Sequence, residues 1–391
     1  MSDDGSSSER NRSAAVLVYD TFDQWLAENS FQAVYLYDCD ENRVLYARNE
    51  HMPAPVASLT KIATAMAALE CVADPDGTVI EVTRPAVNEV HRLDGFCAGF
   101  DEQIGMRFSV TEYLSGLLIA SGCEAGMLLA DSLCAGDRDA FVARMNRLAL
   151  CAGCRNTCFR DPCGLLDEGV SSAFDVFLLF RRMLEIPLLR GIASATTRII
   201  PGLPDPVLTT NRLKRFASPV FFPYAACGKT GTSDLAGKCL ACSYERRGKT
   251  YIAVVLGYPF VLGKTAGDSF WKSAADSLLC TAFAREGAFM RVTLDRHLLK
   301  AGVGDRLPLF PRAVFNNTGE EPRFRFRSLN PEVAAVDGQG LVTVLQTGLA
   351  QIEILSQTGD YDLACVNACG SDSVSVSRPH GVGAISVYPS F

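Results

Sequence analysis

The segment 58-SLTKIATAMAALE-70 is the most informative part of this chain for its fold. Pro53 and Pro55 interrupt the backbone before it, and the run itself is mostly apolar and rich in alanine, which predicts a helix that passes through a core. Ser58 and Lys61 are three residues apart, so a helix places both side chains on one face. We therefore expect the amine of Lys61 within hydrogen-bonding reach of the Ser58 hydroxyl.

This pairing favours nucleophilic chemistry at Ser58. A serine hydroxyl is hardly ionised at neutral pH and needs an adjacent base. An amine can be that base only when burial or a neighbouring positive charge lowers its pKa, and Lys229 is the candidate neighbour. Ser58 also lies near the predicted helix N-terminus, where unpaired backbone N–H groups suit an oxyanion.

A second motif, Lys-Thr-Gly, lies within 227-CGKTGTS-233. Two alternating apolar segments follow it, 238–244 and 246–257, and the glycine-containing turn between them predicts a β-hairpin. Gly231 allows a ligand or another backbone to approach the strand edge closely. A lysine beside a turn is weak evidence of function alone, but S-x-x-K followed by K-T-G in this order is specific.

S-x-x-K, S-x-N and K-T-G are the signature set of the penicillin-recognising serine enzymes. Here 121-SGC-123 stands where the set has Ser-x-Asn, and the segments 159–169, 172–180 and 210–213 extend the similarity. From about residue 30 to 285 the chain resembles the D-alanyl-D-alanine carboxypeptidase family of low-molecular-weight penicillin-binding proteins. The resemblance implies an α+β fold of the β-lactamase and DD-peptidase type, with an antiparallel sheet, flanking helices and a helical insert.

The resemblance also implies which residues form the site. The expected catalytic residues are Ser58 as nucleophile, Lys61 as its base and Ser121 as a proton-relaying hydroxyl. The expected substrate-binding residues are Cys123, Lys229, Thr230, Gly231, Thr232 and Lys264. No cofactor and no metal ion are implied.

The substrate-binding residues have separate expected roles. Lys229 and Thr230 would hold the terminal carboxylate of the substrate, and the backbone N–H groups of Ser58 and Thr232 would form the oxyanion hole. Lys264 falls near a position where the family usually has arginine. Lysine keeps the charge but loses the two-pronged hydrogen bonding of a guanidinium, so it would bind a carboxylate more loosely.

Cys123 leaves the degree of activity open. The asparagine of the family offers an amide donor and a carbonyl acceptor, whereas a thiol is weak in both roles. Loss of a positioned catalytic hydrogen bond often costs about 10²-fold or more in rate. A slower peptidase, a penicillin-binding protein with little turnover and a non-catalytic descendant are therefore three alternatives. A class A β-lactamase is a fourth, although the sequence has no convincing E-x-x-L-N motif.

The resemblance implies an enzyme that acylates Ser58 with a peptidoglycan stem peptide ending in D-Ala-D-Ala, releases D-alanine and hydrolyses the ester. Its expected partners are that stem peptide and β-lactam antibiotics, which would acylate the same serine. A formal net charge of -7 and a sequence pI near 5.3 argue against nucleic-acid binding.

Length and composition predict two domains, since the chain has 391 residues of which 48% are hydrophobic. Beyond residue 286 short alternating strands dominate, and 328–354 resembles a bacterial immunoglobulin-like module of group 2 through its N-P-x-V-A-x-V-D-x-x-G-x-V pattern. We predict a disordered tail at 1–13, the catalytic domain at 14–285, a linker strand at 286–302, a smaller all-β Ig-like sandwich at 303–370 and a tail at 371–391.

The N-terminal segment lacks the apolar region of a secretory signal. No apolar run of the sequence is long enough to span a membrane. The implied substrate lies outside the cytoplasmic membrane. We therefore expect an extracytoplasmic protein whose export signal is absent from this sequence, with membrane association only through such an absent segment. A cytosolic hydrolase is the alternative.

The chain has fifteen cysteines and four histidines. Cys151, Cys154, Cys158 and Cys163 lie within thirteen residues, but their spacing does not form the paired C-x-x-C arrangement of a structural zinc site. Small apolar residues, disulfides and a metal site are the three interpretations, in that order of preference. No histidine lies in an H-E-x-x-H motif.

Overall fold

The computed structural model of the protein describes residues 21–259, 270–271 and 277–369. The chain divides into two compact units. Among the described residues, one unit extends from Asn29 to Phe270, and the other comprises residues 21–28, Trp271 and 277–369. The first unit combines helices with an antiparallel sheet, whereas the second consists mainly of strands. This confirms the predicted α+β class followed by an all-β region.

Helices and strands are numbered here in chain order over the described residues. The α-helices are α1 (Phe22–Asn29), α2 (Lys61–Leu69), α3 (Arg84–Arg92), α4 (Val110–Ser115), α5 (Cys123–Leu133), α6 (Arg138–Cys151), α7 (Ala173–Leu184), α8 (Pro187–Ser194) and α9 (Leu278–Glu286). The strands of the first unit are β1 (Ala33–Asp38), β2 (Arg43–Arg48), β3 (Ala54–Pro55), β4 (Val79–Glu81), β5 (Arg107–Ser109), β6 (Val170–Ser171), β7 (Thr197–Arg198), β8 (Val207–Leu208), β9 (Ala225–Ser233), β10 (Gly237–Arg246) and β11 (Lys249–Tyr258). Those of the second unit are β12 (Met290–Thr293), β13 (Leu298–Gly302), β14 (Arg306–Pro308), β15 (Arg312–Asn316), β16 (Phe324–Ser328), β17 (Ala334–Val336), β18 (Leu341–Val344), β19 (Gly348–Ser356) and β20 (Tyr361–Cys369).

The main sheet of the first unit has five strands in the order β2-β1-β11-β10-β9, all antiparallel to their neighbours. Its strands come from the two ends of the unit, and most of the helices are formed by the chain between them. Every residue of β1 is buried, as expected of an apolar strand between two neighbours. In this sheet β9 lies at one edge, so one side of its backbone is not used by the ladder.

Helix α2 passes through the core of the first unit. Its residues from Lys61 to Ala68 are all buried, and an alanine-rich helix that is apolar on every side is suited to such a position. The predicted helix began at Ser58, but the structure has a 3₁₀ turn at Ala57–Thr60 before α2. The turn begins at Ala57, whose φ of 46° is in the left-handed region that a non-glycine residue rarely adopts.

A second irregular turn lies between α4 and α5. Helix α4 ends at Ser115, and Gly116–Ala120 form a π-helical turn. Ser121 then adopts a left-handed backbone with φ of 70°. Irregular turns and positive φ values of this kind are common at functional sites.

The second unit contains three sheets, in the orders β13-β20-β19-β16, β14-β18-β17 and β12-β15. Alternate residues of β19 and β20, among them Ile352, Ile354 and Val366, are buried in its core. The segment predicted as a linker strand contributes β12 and β13, which pair with β15 and β20. The exact domain boundaries stay a prediction, and the predicted tails at 1–13 and 371–391 lie outside the described residues.

Over the part of the chain that the structure describes, no helix is both long and apolar enough to cross a lipid bilayer.

Candidate active site

Ser58 and Lys61 contact each other as the sequence predicts. Lys61 Nζ donates a hydrogen bond of 2.7 Å to Ser58 Oγ. The Lys61 side chain is fully buried, whereas Ser58 is partly exposed. The hydroxyl can therefore meet a ligand from solvent, and the amine behind it is shielded from water.

Ser121 connects the two lysines of the site. Its hydroxyl accepts a hydrogen bond of 2.8 Å from Lys229 Nζ and lies 3.5 Å from Lys61 Nζ. The left-handed backbone at Ser121 ends the π-helical turn and precedes α5. Ser58, Lys61, Ser121 and Lys229 thus form one continuous chain of polar contacts.

Cys123 occupies the remaining space beside Lys61. Lys61 Nζ donates to Cys123 Sγ at 3.2 Å, and Cys163 Sγ lies 3.1 Å from the backbone oxygen of Cys123. Both thiols are buried. The two cysteines, one in the motif and one in a distant loop, pack together next to the proposed base.

The surroundings favour the thiolate form of Cys123. A side-chain hydrogen bond from Cys163 is the largest contribution, and the positive charges of Lys61 and Lys229 add to it against the effect of burial. Together they lower the pKa of Cys123 to about 5. The pKa of Cys163 is raised well above its ordinary value, mainly by burial, so Cys163 is the proton donor of the pair.

The pKa values of Lys61 and Lys229 are shifted in opposite directions, which differs from the sequence-based expectation. Burial lowers the pKa of Lys61, but Cys123, Cys163 and Asp161 outweigh it, and the net shift is upward. The pKa of Lys229 lies well below its ordinary value because of burial and the charge of Lys61. The sequence predicted a depressed pKa for Lys61, whereas the structure depresses that of Lys229.

The Lys-Thr-Gly motif lies on the edge strand β9, facing the turn that carries Ser58. Thr230 Oγ1 lies 2.6 Å from Thr210 Oγ1, so Thr210 joins the site although its role was not predicted. A Cβ at Gly231 would lie 2.6 Å from the backbone oxygen of Val56, which explains why glycine is needed there. Thr232 is exposed at the open end of the strand.

The buried carboxylate of Asp161 organises a loop that supports the nucleophile. Its two oxygens accept backbone N–H groups from residues 163–166. Gly164 in this loop has φ of 73°, and a Cβ there would lie only 1.9 Å from the backbone oxygen of Ala57. The sequence signal for this support was the Asp-Pro-Cys-Gly turn, which the sequence analysis did not assign to the site.

Several predicted features remain outside this geometry. Lys264 lies outside the described residues. No disulfide joins any of the fifteen cysteines, all of which lie within the described residues.

The profile of the D-alanyl-D-alanine carboxypeptidase family matches residues 24–259, and that of the bacterial Ig-like domain (group 2) matches residues 315–366. Both resemblances stated above are confirmed.

Individual relatives agree with the family match. D-alanyl-D-alanine carboxypeptidase DacF of Bacillus subtilis is 30% identical over 236 residues, which is 59% of this chain and 58% of the relative. A D-alanyl-D-alanine endopeptidase of Pseudomonas aeruginosa is 33% identical over 152 residues, 39% of this chain and 47% of the relative. The chain thus spans about half the length of these two relatives.

The structure of a D-alanyl-D-alanine carboxypeptidase from Mycobacterium tuberculosis matches with a TM-score of 0.56 and 26% identity, covering 65% of this chain and 91% of that one. The shared motif order, the matching fold and the family profile over more than half of the sequence lead to one conclusion. The chain belongs to the D-alanyl-D-alanine carboxypeptidase family.

Proposed function

We propose that the protein is a serine-type D-alanyl-D-alanine carboxypeptidase. Ser58 Oγ attacks the carbonyl carbon between the two D-alanines, the terminal D-alanine leaves with a proton, and water hydrolyses the ester to regenerate the serine. The observation that carries this proposal is the contact of 2.7 Å between Lys61 Nζ and the partly exposed Ser58 Oγ. A serine so placed has a base within reach.

The hydroxyl of Ser121 supplies a route for the proton of Lys61. A protonated Lys61 cannot accept the proton of Ser58, whereas Lys229 is readily neutral because its pKa is depressed. Transfer of a proton from Lys61 through Ser121 to Lys229 leaves Lys61 as a free amine. The contacts of 3.5 Å and 2.8 Å that Ser121 makes with the two lysines support this path.

Substrate binding would promote the same transfer. We assign the terminal carboxylate of the substrate to Lys229 and Thr230. A carboxylate beside an amine favours the charged form of that amine, so the bound substrate would draw the proton onto Lys229. Lys61 would then be neutral at the moment when Ser58 must be deprotonated.

We assign the oxyanion to the backbone N–H groups of Ser58 and Thr232. Ser58 lies in the turn before α2, where N–H groups lack acceptors within the helix, and Thr232 lies on the edge strand β9. Gly231 lets the strand pack closely against the backbone of Val56, beside the turn that carries Ser58. Cys123 is proposed to contact substrate and Lys61, and Lys264 to supply a further cation.

β-Lactam antibiotics are proposed to acylate Ser58 as well, because their strained amide resembles the D-Ala-D-Ala terminus. The natural substrate would be a peptidoglycan stem peptide, which places the working protein outside the cytoplasmic membrane. We therefore propose an extracytoplasmic location.

A second candidate function is a penicillin-binding protein that acylates but hydrolyses the ester slowly. Cys123 favours it, because the thiol replaces an amide and its contact with Lys61 at 3.2 Å holds that lysine in the charged form. Deacylation needs a neutral base a second time, so it would be the more affected step.

The experiment combines labelled penicillin with a D-alanine release assay on the Ser58→Ala variant. We expect wild-type protein to be labelled and to release D-alanine, and Ser58→Ala to do neither. The exposed Ser194, whose hydroxyl contacts only the backbone oxygen of Gly191 among the described residues, provides the control. Ser194→Ala should behave as wild type.

The remaining outcomes separate the candidates. Labelling of the wild type without D-alanine release supports the penicillin-binding protein. Labelling that persists in Ser58→Ala contradicts the assignment of the nucleophile, and an unlabelled wild type that releases no D-alanine contradicts both functions.

A further inference from the structure

A second cluster of chemically active side chains lies apart from Ser58. His91 is in the last turn of α3, Cys97 is in the loop that follows, and Asp101 is in the 3₁₀ turn at Phe100–Glu102. The nitrogen, sulfur and carboxylate oxygen that these residues offer all lie within 4.8 Å of one another. Such a mixed set is not needed by the proposed peptidase reaction.

The spacing of these atoms is near that of a metal-coordination shell. His91 Nε2 lies 3.2 Å from Asp101 Oδ2. Ligand atoms around a tetrahedral zinc ion, with bonds of about 2.0–2.3 Å, are about 3.3–3.8 Å apart. A shift of roughly 1 Å in side chains on a loop and a helix end would bring all three onto one ion.

Glu124 provides a separate observation beside the cluster. Its side chain is fully buried, and Oε1 accepts hydrogen bonds from the backbone N–H groups of Ala98 and Phe100, within the same loop. Oε2 is buried without a hydrogen-bond partner among the described residues. The Cys97 thiol interacts with this carboxyl group, so Glu124 holds in place the loop that carries Cys97 and Asp101.

No basic side chain of the described residues other than His91 forms an ion pair with Asp101 or Glu124. Arg92, the nearest arginine in the sequence, is paired with Glu89 instead. A divalent cation would add positive charge beside the carboxylate of Asp101.

We propose that His91, Cys97 and Asp101 bind one zinc ion, with a water molecule as the fourth ligand. Imidazole, thiolate and carboxylate together suit zinc, whereas calcium and magnesium prefer oxygen ligands alone. On binding, the Cys97 thiol transfers its proton to solvent and its sulfur forms the bond to zinc. His91, which is about half exposed, lies on the path by which the ion enters.

The site would stabilise the catalytic centre from behind. The backbone oxygen of Phe96 accepts a hydrogen bond of 2.7 Å from Cys123 N. A Cβ at Gly95 would lie 3.2 Å from the Cβ of Cys123, so this loop packs directly against the residue that contacts Lys61. An ion that holds Cys97 and Asp101 therefore limits movement of Cys123.

The test uses the full-length protein after removal of metal with a chelator, and cobalt(II) or zinc as the probe. We expect one equivalent of cobalt(II) to produce a thiolate-to-cobalt charge-transfer absorption that Cys97→Ser lacks. We expect zinc affinity to fall by at least about 10–100-fold in Cys97→Ser and in His91→Ala. Mutation of a residue that only hydrogen-bonds to a metal ligand already causes a loss of this size.

Cys151 provides the matched control, because it is an exposed free thiol remote in sequence from the cluster. Cys151→Ser should keep the charge-transfer band and the affinity. Zinc should also raise the melting temperature of the wild type and of Cys151→Ser, but not that of Cys97→Ser.

Equal zinc affinity in wild type and Cys97→Ser would overturn the proposal, as would a cobalt spectrum without thiolate absorption. The result does not depend on the peptidase function, since Ser58→Ala should bind zinc as the wild type does. Loss of metal binding and loss of penicillin labelling can therefore be distinguished.

Discussion

Cys123 is the residue at which this site departs most from the family pattern. Its thiol keeps a contact with Lys61. The pKa of this thiol is lowered, so the sulfur can carry a negative charge. A charged thiolate stabilises the ammonium form of Lys61, which is the wrong form for a base. The same residue thus positions the lysine and opposes its deprotonation.

We predict that Cys123→Ala lowers the rate of penicillin acylation and that Cys123→Asn restores it to the wild-type level or above. Alanine removes the contact that positions Lys61, whereas a neutral amide supplies a donor and an acceptor. The loss in Cys123→Ala should be about 10- to 100-fold, typical of a positioned catalytic hydrogen bond. The measurement is the second-order rate constant of labelling.

Cys151→Ala is the control for this series and should label at the wild-type rate. If Cys123→Ala and Cys123→Asn are equally slow, the side chain does not act through hydrogen bonding to Lys61, and the interpretation of Cys123 is wrong.

Among the elements, the loop around Asp161 shows how backbone geometry supports the nucleophile. The carboxylate gathers the N–H groups of residues 163–166, which places Gly164 against the backbone of Ala57. The left-handed Ala57 precedes Ser58 directly. A strained turn of this kind persists only where the surrounding structure holds it, and here Gly164 and Gly231 both pack against it.

Helix α8 ends on a buried lysine. Lys214 Nζ donates to the backbone oxygens of Ala193, Ser194 and Ala195, at 2.9, 2.5 and 3.3 Å. A cation in this place satisfies carbonyl groups that have no partner within the helix. Burial nevertheless lowers the pKa of Lys214 from 10.5 to about 8.

This shift predicts a pH-dependent stability. Because the native pKa of Lys214 is below the unfolded value, the unfolded chain binds more protons between pH 8 and 10.5. The free energy of unfolding should therefore rise with pH across this window. From pH 7.5 to 9.5 we expect wild type to gain roughly 1–2 kcal/mol relative to Lys214→Met.

The measurement is urea unfolding at the two pH values, followed by helical circular dichroism, which comes mostly from the first unit. Lys249→Met, at a side chain that is 39% exposed, is the control and should follow the wild-type pH dependence. A pH dependence of Lys214→Met equal to that of wild type would contradict the assigned shift.

At the scale of the whole molecule, the two compact units have separate hydrophobic cores. Units with their own cores can unfold independently. We predict two transitions in differential scanning calorimetry. Covalent penicillin should raise the temperature of one of them and leave the other unchanged, because a ligand stabilises only the unit that binds it.

Ser58→Ala serves as the control, since penicillin should shift neither of its transitions. A single transition that moves as a whole on acylation would show that the two units unfold as one.

Much of the fold could be predicted from local sequence patterns. The segment predicted to be a helix from Ser58 is helical from Lys61 onward, and the hairpin of β10 and β11 follows the Lys-Thr-Gly motif as expected. The irregular turns at Ala57–Thr60 and Gly116–Ala120 could not be predicted. The backbone of these turns is held by neighbours distant in sequence. The periodicity of apolar side chains predicts only regular helices and strands.

Order and type of residues were sufficient to identify the family, the nucleophile and its partner lysine, because three residues of helical spacing bring two side chains together wherever the helix lies. The charge states of Lys61 and Lys229 could not be predicted in this way. They depend on burial and on the thiol pair of Cys123 and Cys163, which approach one another only after the chain has folded. Electrostatic energy depends on distance and solvent exposure in three dimensions. Neither quantity can be derived from the spacing of the motifs.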